Sequence, residues 1–377
     1  MKFAAIDIGS NSIHLIIVEI YPDGHYIVVD RAKDMVGLAR NTLANGFLSD
    51  EAIARGLECL KTFQKMCQAH EVTGIEAVAT SAVREALNGK HFIQQAKERT
   101  GIDIRVVSGK EEAMLIYKGA RDHIDWCGRR GLIVDIGGGS VEFIVGDATK
   151  ADAVMSIPLG VRRLSEQFLE TDPPKRSELK RLKHHITAEL ASLEELVAQH
   201  HIDFVIGTSG TLTKLARTAA RREGRPFERT HGLWTSLQEL KEMARALSGL
   251  REAERASFYG VGQKRTDTIV AGAQLMKYAL RAVGHDSYVA CEYALRDGIV
   301  ADFISRASQK ISGAAPHMRK RSVQTVLNRF NTYGNHPRTV ARLSLELFDP
   351  LQSFDGNDET TRELLAYAAL LHAAGRA

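Results

Sequence analysis

Two stretches of the chain share one pattern of apolar and polar residues. Residues 4–18 (AAIDIGSNSIHLIIV) and residues 132–146 (LIVDIGGGSVEFIVG) both lead from an apolar segment through Asp-Ile-Gly-x-x-Ser into alternating apolar residues. Period-two alternation of branched side chains is typical of a β-strand, and tight turns between strands favour glycine. Because the pattern returns after about the length of one domain, it predicts two related halves, each opening with a strand, a turn and a second strand.

The segments that follow these units predict alternating helices and strands. Ser49 has the chemistry of an N-cap residue, and apolar residues recur behind it at helical spacing. The run from Ser108 to Glu111 has the spacing of a capping box and predicts a helix to about Ala120. Such alternation is typical of an α/β fold. Further strands are predicted over Ala77–Thr80, Ile104–Val107 and Phe204–Ile206, and further helices over Ser81–Leu87, Ser177–His200 and Asp267–Val283.

The last part of the chain predicts a different organisation. Residues 306–316 (RASQKISGAAP) are small and polar and include Gly and Pro, which indicates a linker. Three helices are predicted beyond it, over about Arg319–Asn331, Pro337–Ser353 and Glu359–Ala374. The whole pattern predicts α/β regions over 1–125 and 126–305, a linker over 306–318 and an all-α segment over 319–377.

Composition narrows the class of protein. A chain of 377 residues suits two or three domains, and its 44% hydrophobic and 25% charged residues exclude bulk disorder, collagen and coiled coil. No apolar run reaches the roughly 18 residues that span a bilayer, and the N-terminus lacks the pattern of a signal peptide. The four cysteines contain no CxxC pair, so we expect buried thiols in a reducing compartment, and thus a cytoplasmic protein. They are Cys59, Cys67, Cys127 and Cys291.

The charge balance gives little support for a nucleic-acid partner. The net charge is +4 over the whole chain. Basic residues concentrate at 175–185 and at 317–321. A solvated helix face is the commoner explanation of such clusters, and an electrostatic track for a polyanion is the alternative.

The two Asp-Ile-Gly turns have the chemistry of a phosphate site. Turns rich in Gly, Ser and Asn expose backbone N–H groups and let a phosphate approach closely. Asp7 and Asp135 end the preceding strands, where carboxylates could hold Mg²⁺ between phosphate oxygens. Two ordinary hairpin turns are the alternative, which the duplication disfavours. Gly207–Thr211 follows a strand and opens a helix, so its N–H groups could bind a further anion or simply be capped.

Three glutamates are candidates for acid–base chemistry. Glu111 is explained as the capping-box partner of Ser108, which leaves Glu112 as a general base or as a plain surface residue. Glu142 follows Ser140 by two residues and points to the same side of a strand, so it either shares the cleft or is an exposed strand residue. The chain has no Walker lysine motif, no G-x-S-x-G elbow and no HExxH.

Together these motifs resemble the exopolyphosphatase/guanosine pentaphosphate phosphatase (Ppx/GppA) family of the actin-like ATPase superfamily. The resemblance implies an α/β fold of two actin-like (ribonuclease H-like) domains with an interdomain cleft, followed by a short all-α C-terminal segment. It rests on matching segments that occur in the family's order over about residues 1–305. These are residues 5–15, 80–84, 108–113, 133–142, 207–211 and 265–267.

The resemblance also implies the parts of an active site. Glu112 is similar to the family's catalytic base, and Asp135 and Glu142 match an acidic, catalytic pair that binds Mg²⁺ and supports the attacking water. A monovalent cation such as K⁺ is a further candidate cofactor. Residues 370–374 resemble the start of a helical domain related to His-Asp metal hydrolases, but no acidic residue follows His372, so we assign it no metal. The residues implied to bind phosphate are Asp7, Ser10, Asn11, Arg84, Gly137, Gly138, Gly139, Ser140, Ser209, Gly210 and Arg265.

The favoured function is Mg²⁺-dependent, processive removal of terminal phosphates from inorganic polyphosphate, with release of orthophosphate. A guanosine pentaphosphate 5′-phosphohydrolase shares every motif and is the first alternative. A non-hydrolysing sensor of polyphosphate or nucleotide is the second, and the presence of Glu112 and Asp135 disfavours it. A sugar kinase or Hsp70-like ATPase would lack the Ser-Gly-x-Glu-Glu-Ala segment. We expect no nucleic-acid or membrane partner and leave a homodimer open.

Overall fold

A computed structural model describes residues 1–21, 24–40, 46–309, 323, 326–327, 335–351, 359–372 and 374. The chain divides into two compact units. One comprises Met1, Val18–Val29 and Ile304–Ala377, and the other comprises Lys2–Ile17 and Asp30–Phe303. The second, larger unit contains every residue of the candidate site described below.

The described strands form two mixed sheets, one of five strands and one of six. In chain order they are β1 (Lys2–Ile8), β2 (Ile13–Ile20), β3 (Tyr26–Asp34), β4 (Gly74–Ala79), β5 (Ile104–Val106), β6 (Gly131–Ile136), β7 (Val141–Gly146), β8 (Ala151–Ile157), β9 (Phe204–Thr208), β10 (Trp234–Ser236) and β11 (Ser287–Ala290).

The two sheets repeat one topology. The first has the order β3-β2-β1-β4-β5, and the second has the order β10-β11-β9-β6-β7-β8. Read from its other edge, the second sheet has the order β8-β7-β6-β9-β11-β10. Its first five strands then correspond to β3-β2-β1-β4-β5 of the first sheet, and β10 is an additional edge strand. In both sheets the first strand pairs in parallel with the fourth, with Phe3 opposite Gly74 in one and Gly131 opposite Phe204 in the other. The internal repeat of the sequence therefore marks a repeat of the fold.

The described helices separate the strands and cover the sheets. In chain order they are α1 (Asp50–Ala69), α2 (Ser81–Glu85), α3 (Gly89–Thr100), α4 (Gly109–Arg121), α5 (Val161–Phe168), α6 (Arg176–Glu189), α7 (Ala191–Ala198), α8 (Ser209–Arg222), α9 (Leu237–Gly249), α10 (Glu252–Ser257), α11 (Ile269–Ala282), α12 (Leu295–Gln309), α13 (Asn335–Phe348) and α14 (Glu359–Leu371). None of these helices is both long and apolar enough to cross a bilayer.

Each sheet has its own hydrophobic core. One cluster of buried side chains includes Ile6, Ile8 and Phe92, and a separate cluster includes Phe143 and Tyr288. Two such cores are what two α/β halves require, because each sheet must bury its apolar face against its own helices. The rigid cores hold the ends of β1 and β6 in place, and the polar turns of the site extend from these ends.

Local capping fixes where α1 and the site helix α4 begin. Ser49 Oγ accepts a hydrogen bond from the Ala52 amide at the start of α1. Ser108 and Glu111 form the predicted capping box, in which each side chain accepts from the other residue's backbone N–H. Both helix starts are confirmed. The capping box sets Glu112 in the first turn of α4, facing a different direction from Glu111.

Some predictions need correction. The predicted linker begins too early, because α12 continues to Gln309. Strands β3, β8, β10 and β11 were not predicted. The two last predicted helices correspond to α13 and α14, and the helix predicted over 319–331 lies almost wholly outside the described residues. Three cysteines are buried as expected, but Cys127 is exposed, because it lies in the loop before β6.

Candidate active site

A polar cavity of about 380 Å³ lies where the two sheets contribute their turns. Its lining includes the turn after β1, the turn after β6 and the first residues of α8. Glu112 of α4, two basic residues of β3 and the start of α12 complete it. The cavity therefore collects residues that lie far apart along the chain.

The two turns have the same backbone geometry. Gly9 N–H donates to the Ser12 carbonyl at 3.1 Å, and Gly137 N–H donates to the Ser140 carbonyl at 3.0 Å. Each bond closes the strand–turn–strand unit at the same point of the repeat. The intervening backbone is thereby held in a tight loop, which is the arrangement that presents N–H groups to an anion.

The turns also pack against each other. Ser10 Oγ lies 2.8 Å from Ser81 Oγ. A Cβ atom on Gly139 would come within 2.4 Å of that Ser81 oxygen, and one on Gly138 would come within 2.8 Å of Ser10 Cβ. Glycine is required at these two positions because the first turn and Ser81, the first residue of α2, leave no room for a side chain.

Asp135 and Glu142 face each other across two strands. They are directly opposed in the antiparallel register of β6 and β7. Thr208 Oγ1 donates to Asp135 Oδ2 at 2.5 Å, and Ser156 Oγ donates to Glu142 Oε1 at 2.8 Å. The second oxygen, Glu142 Oε2, is buried and has no hydrogen-bond partner within the described part of the chain. The pair thus offers one unsatisfied carboxylate oxygen in the interior.

Glu112 is held by one arginine. Arg84 Nη1 donates to Glu112 Oε2 at 2.9 Å and to the Val107 carbonyl at 2.9 Å. Burial raises the pKa of Glu112 to about 7, although the bond from Arg84 acts in the opposite direction. A carboxylate with a pKa near neutrality is suited to take a proton from water. Its neighbour Glu111 is exposed and occupied by the capping box.

The other carboxylates share this electrostatic environment. Burial raises the pKa of Asp7 to about 7 and that of Asp135 to about 6. It also raises the pKa of Glu142 well above its ordinary range, and the negative charges of Glu112 and Asp135 add to that shift. Several buried acids side by side are costly to ionise together, so a cation among them would be stabilising.

Basic residues occupy another part of the cavity lining. They are Arg31, Lys33, Arg265 and Arg296. Burial lowers the pKa of Lys33 to about 8, and the charges of Arg265 and Arg296 lower it further. Burial also lowers the pKa of Arg265 to about 10. Cations crowded into a partly buried pocket repel one another, and a bound polyanion would relieve that repulsion.

His14 is a neutral member of the lining. Its Nδ1 lies 3.2 Å from Arg296 Nη1, and its Nε2 lies 2.8 Å from Ser12 Oγ. Arginine can only donate, so Nδ1 accepts and Nε2 carries the proton that is donated to Ser12. Burial and the nearby cations lower the pKa of His14 well below its ordinary range, which agrees with this tautomer. The ring therefore positions Arg296 and adds no charge.

A buried arginine orients Asn11. Arg162 Nη2 donates to Asn11 Oδ1 at 3.0 Å, and Arg162 Nη1 pairs with Asp267 at 2.8 Å. Because its oxygen is engaged, the Asn11 amide presents its NH₂ group as the remaining polar function. An N–H donor at this turn suits an anionic ligand.

The cavity brings together most of the predicted site residues. Three of them do not line it, because Arg84 and Glu142 lie behind the lining and Gly139 packs under Ser81. Arg84 was expected to line the cleft, and it contacts the candidate base instead. The predicted residues that do line it are Asp7, Ser10, Asn11, Glu112, Asp135, Gly137, Gly138, Ser140, Ser209, Gly210 and Arg265.

Several residues of the cavity lining were not predicted from the sequence. Arg31 and Lys33 have the i, i+2 spacing that places side chains on one side of a strand, and this signal would have found them once β3 was recognised. Arg296, at the start of α12, carries no such local signal. It reaches the cavity only through the tertiary fold.

The acidic part of the site fits Mg²⁺. This ion usually takes one or two protein carboxylates and completes its shell with waters and substrate phosphates. No group of three or more His, Cys, Asp or Glu side chains among the described residues is placed to hold a metal unaided. Two opposed carboxylates with one unsatisfied buried oxygen, Glu142 Oε2, match the smaller donor set that Mg²⁺ requires.

Two similar α/β halves with glycine turns at a shared polar cavity define the class of protein, which has an actin-like fold. The profile of the Ppx/GppA phosphatase family matches residues 16–307. The chain belongs to this family, and it is a hydrolase.

Named relatives and solved structures support the same family assignment. The chain is 29% identical over 301 residues to an exopolyphosphatase 1 of Mycobacterium tuberculosis, covering 80% of this chain and 87% of that protein. It is also 29% identical over 347 residues to a guanosine-5′-triphosphate,3′-diphosphate pyrophosphatase of Vibrio atlanticus, covering 91% and 67%.

The solved structures extend the likeness to the fold. A crystal structure of an exopolyphosphatase from Cytophaga hutchinsonii matches with a TM-score of 0.77 at 28% identity, over 81% of this chain and 98% of that one. The Aquifex aeolicus member of the Ppx/GppA family matches with a TM-score of 0.68 at 27% identity, over 83% and 99%. The predicted fold class is therefore confirmed.

Proposed function

We propose that this protein is an exopolyphosphatase that hydrolyses the terminal phosphoanhydride bond of inorganic polyphosphate. The observation that carries the proposal is the composition of one cavity. Carboxylates of two strands and of α4 occur in and behind the same lining as two phosphate-type turns and four basic residues. If the terminal phosphate binds next to the carboxylates, the next phosphates of the polyphosphate chain would contact the basic residues.

Each part of the site has a role in phosphoryl transfer. In this proposal Glu112 takes a proton from water as the water oxygen bonds to the terminal phosphorus. The bridging P–O bond breaks, its electron pair stays with the shortened chain, and orthophosphate leaves. N–H groups of the turns offset the charge on the terminal phosphate oxygens, which is the main requirement of this reaction, and the Arg265 guanidinium binds the next phosphates of the chain. Arg84 positions Glu112 through its contact with Oε2.

We further propose Mg²⁺ as the metal, held through Asp135 and Glu142. Phosphatases of this family generally depend on a divalent metal. The ion would neutralise phosphate oxygens when it is bound. Excess EDTA should abolish orthophosphate release, and Mg²⁺ should restore it. Asp135→Asn should raise the Mg²⁺ concentration needed for half-maximal activity. Full activity in excess EDTA would overturn the metal assignment.

Guanosine pentaphosphate is the second candidate substrate. A relative that matches over 91% of this chain is named as a guanosine-5′-triphosphate,3′-diphosphate pyrophosphatase. The turns and carboxylates would act on a terminal phosphate of either substrate. A cytoplasmic location, a homodimer and a requirement for K⁺ stay predictions.

The test is orthophosphate release by the purified 377-residue protein with Mg²⁺. Long-chain polyphosphate and guanosine pentaphosphate are compared in parallel, with Glu112→Gln as the blank. A higher kcat/KM on polyphosphate is the expected result. Preference for the nucleotide would replace the proposal with the second candidate. Absence of release from both substrates, in a protein that still binds polyphosphate, would support a sensor instead.

A further inference from the structure

A basic stripe runs along one face of α8 and begins just beyond the residues of that helix that line the cavity. Gly210 lines the cavity, and Lys214, Arg217 and Arg221 follow it at spacings of four, three and four residues. Residues at this spacing lie on one face of a helix. At 1.5 Å per residue the stripe extends about 16 Å from Gly210 to Arg221. A polyanion leaving the cavity along α8 would meet these three side chains in order.

The stripe is electrostatically continuous with the cavity. Arg265 lies against Gly210, since a Cβ there would come within 2.0 Å of Arg265 Nη2. Burial lowers the pKa of Lys214, and the charges of Arg217, Arg221 and Arg265 lower it further. The four cations therefore feel one another's fields, from the cavity lining to the exposed end of the helix.

The positive charge of the stripe is not balanced by carboxylates. In the described parts of the chain Arg222 of the same helix pairs with Glu242, whereas Lys214, Arg217 and Arg221 form no ion pair. Arg217 Nε is also buried, and none of the described residues forms a hydrogen bond with it. A structural role would more often pair such groups, so the unpaired stripe favours an anionic ligand.

A short turn holds the stripe in place without neutralising it. Lys214 Nζ donates to the Gly260 carbonyl at 3.2 Å, which leaves two of its N–H donors. Arg221 also lies against Gly260, whose φ of 79° and close approach admit no side chain. The turn therefore orders two of the cations before any ligand binds, which lowers the entropic cost of binding.

We propose that this stripe, Lys214, Arg217 and Arg221, binds the distal phosphates of a long polyphosphate while its terminal phosphate occupies the cavity. The proposal rests on the proposed function and adds to it a preference for long chains. A chain of three phosphates is too short to reach from the cavity to the far end of the stripe at Arg221. Long and short substrates should thus depend differently on the stripe.

The test compares a stripe variant (Lys214→Gln, Arg217→Gln, Arg221→Gln) with wild type on long-chain polyphosphate and tripolyphosphate. Each exposed charge contact contributes roughly two- to fivefold in affinity, so the KM for the long chain should rise about tenfold or more. The kcat/KM for tripolyphosphate should stay within about twofold, which also shows that the variant folds. The salt dependence of the long-chain KM should weaken, because fewer counterions are released.

A matched control removes three charges elsewhere. Lys180, Arg181 and Lys183 are exposed on α6, and the variant with glutamine at all three should leave both substrates unaffected. The proposal is overturned if this control equals the stripe variant, if the long-chain KM does not change, or if both substrates lose activity equally.

Direct binding separates this proposal from the proposed function. Long-chain polyphosphate is titrated into Glu112→Gln protein, with and without the stripe substitutions, so that no turnover is needed. Weaker binding only in the stripe variant supports the stripe, even for a protein that hydrolyses neither substrate. Single-stranded RNA is the competitor. Equal competition by RNA at equal phosphate concentration would replace the polyphosphate assignment with a general polyanion surface.

Discussion

Burial determines the chemistry of individual carboxylates in this site. Glu111 and Glu112 are adjacent, yet one is exposed in a capping box and the other is buried against Arg84. The same residue type therefore has a structural role at one position and a candidate catalytic role at the next. Burial supplies the difference, because it disfavours the charged form and makes the carboxylate a better proton acceptor.

Replacement of Glu112 by glutamine should separate catalysis from binding. The side chain keeps its size, but it can no longer take a proton, so kcat should fall by roughly 10²–10⁴ with KM within a few fold. Steady-state kinetics on polyphosphate measure both values. Glu111→Gln is the control, since glutamine preserves the capping box, and it should remain near wild type. A kcat within threefold of wild type for Glu112→Gln would remove this residue from the mechanism.

Deprotonation of Lys33 should cause the decline of kcat/KM at alkaline pH. Burial and neighbouring cations lower its pKa to about 8, so it is charged below that pH and loses its charge above it. The kcat/KM for polyphosphate should therefore decline above pH 8, because binding of the anion loses one cation. Lys33→Arg should move the decline upward, since arginine keeps its charge. Lys264→Arg, on the exposed side of its turn, should not move it.

At the scale of elements, glycines control how closely turns and side chains approach. Gly138 and Gly139 allow the turn after β6 to meet the turn after β1. Gly210 allows Arg265 to lie across the start of α8, where Arg265 Nη1 donates to Thr211 Oγ1 at 3.1 Å. Because these positions carry no side chain, the polar groups of the site can approach one another closely.

Gly210→Ala should weaken substrate binding by displacing Arg265. The added Cβ would lie 2.0 Å from Arg265 Nη2, and the flexible side chain would move rather than the helix. Loss of a charged hydrogen-bond donor costs roughly a factor of ten in affinity, so KM should rise by about that amount with little change in kcat. Gly249→Ala, which meets no atom within 4 Å, is the control. An unchanged KM for Gly210→Ala would show that Arg265 does not contact the substrate.

At the scale of the molecule, the cavity depends on two cores at once. One turn extends from the cluster that contains Ile6 and Ile8, and the other extends from the cluster that contains Phe143. A ligand that contacts both turns binds only when both halves are folded. Ligand binding and global stability should consequently be coupled.

Polyphosphate should therefore raise the unfolding temperature. A ligand at a hundred times its Kd adds about 2.7 kcal/mol to the free energy of unfolding, which corresponds to several degrees in Tm. The Glu112→Gln protein with Mg²⁺ is heated with and without polyphosphate, so that hydrolysis does not consume the ligand. Orthophosphate at the same phosphate concentration is the control and should give a smaller shift. An identical shift with orthophosphate would mean that chain binding is not what stabilises the fold.

The sequence by itself determined the repeat, the α/β class, the caps of α1 and α4 and most of the polar turn residues. These features depend on local chemistry: period-two alternation, glycine at tight turns and a hydroxyl at a helix start act within a few residues. The duplication favours a shared site over two ordinary hairpin turns, because chance seldom places the same turn twice at domain spacing. The resemblance to one family then supplied roles for Glu112, Asp135 and Glu142.

Only the tertiary structure decided which residues meet. It placed Arg84 against Glu112 instead of in the lining, and it brought Arg296 and Lys33 into the cavity from distant elements. It also left the stripe on α8 without ion-pair partners among the described residues, while the basic stretch at 175–185 is an exposed helix face. Burial, desolvation and ion pairing depend on neighbours far along the chain, so no local pattern of residues specifies them.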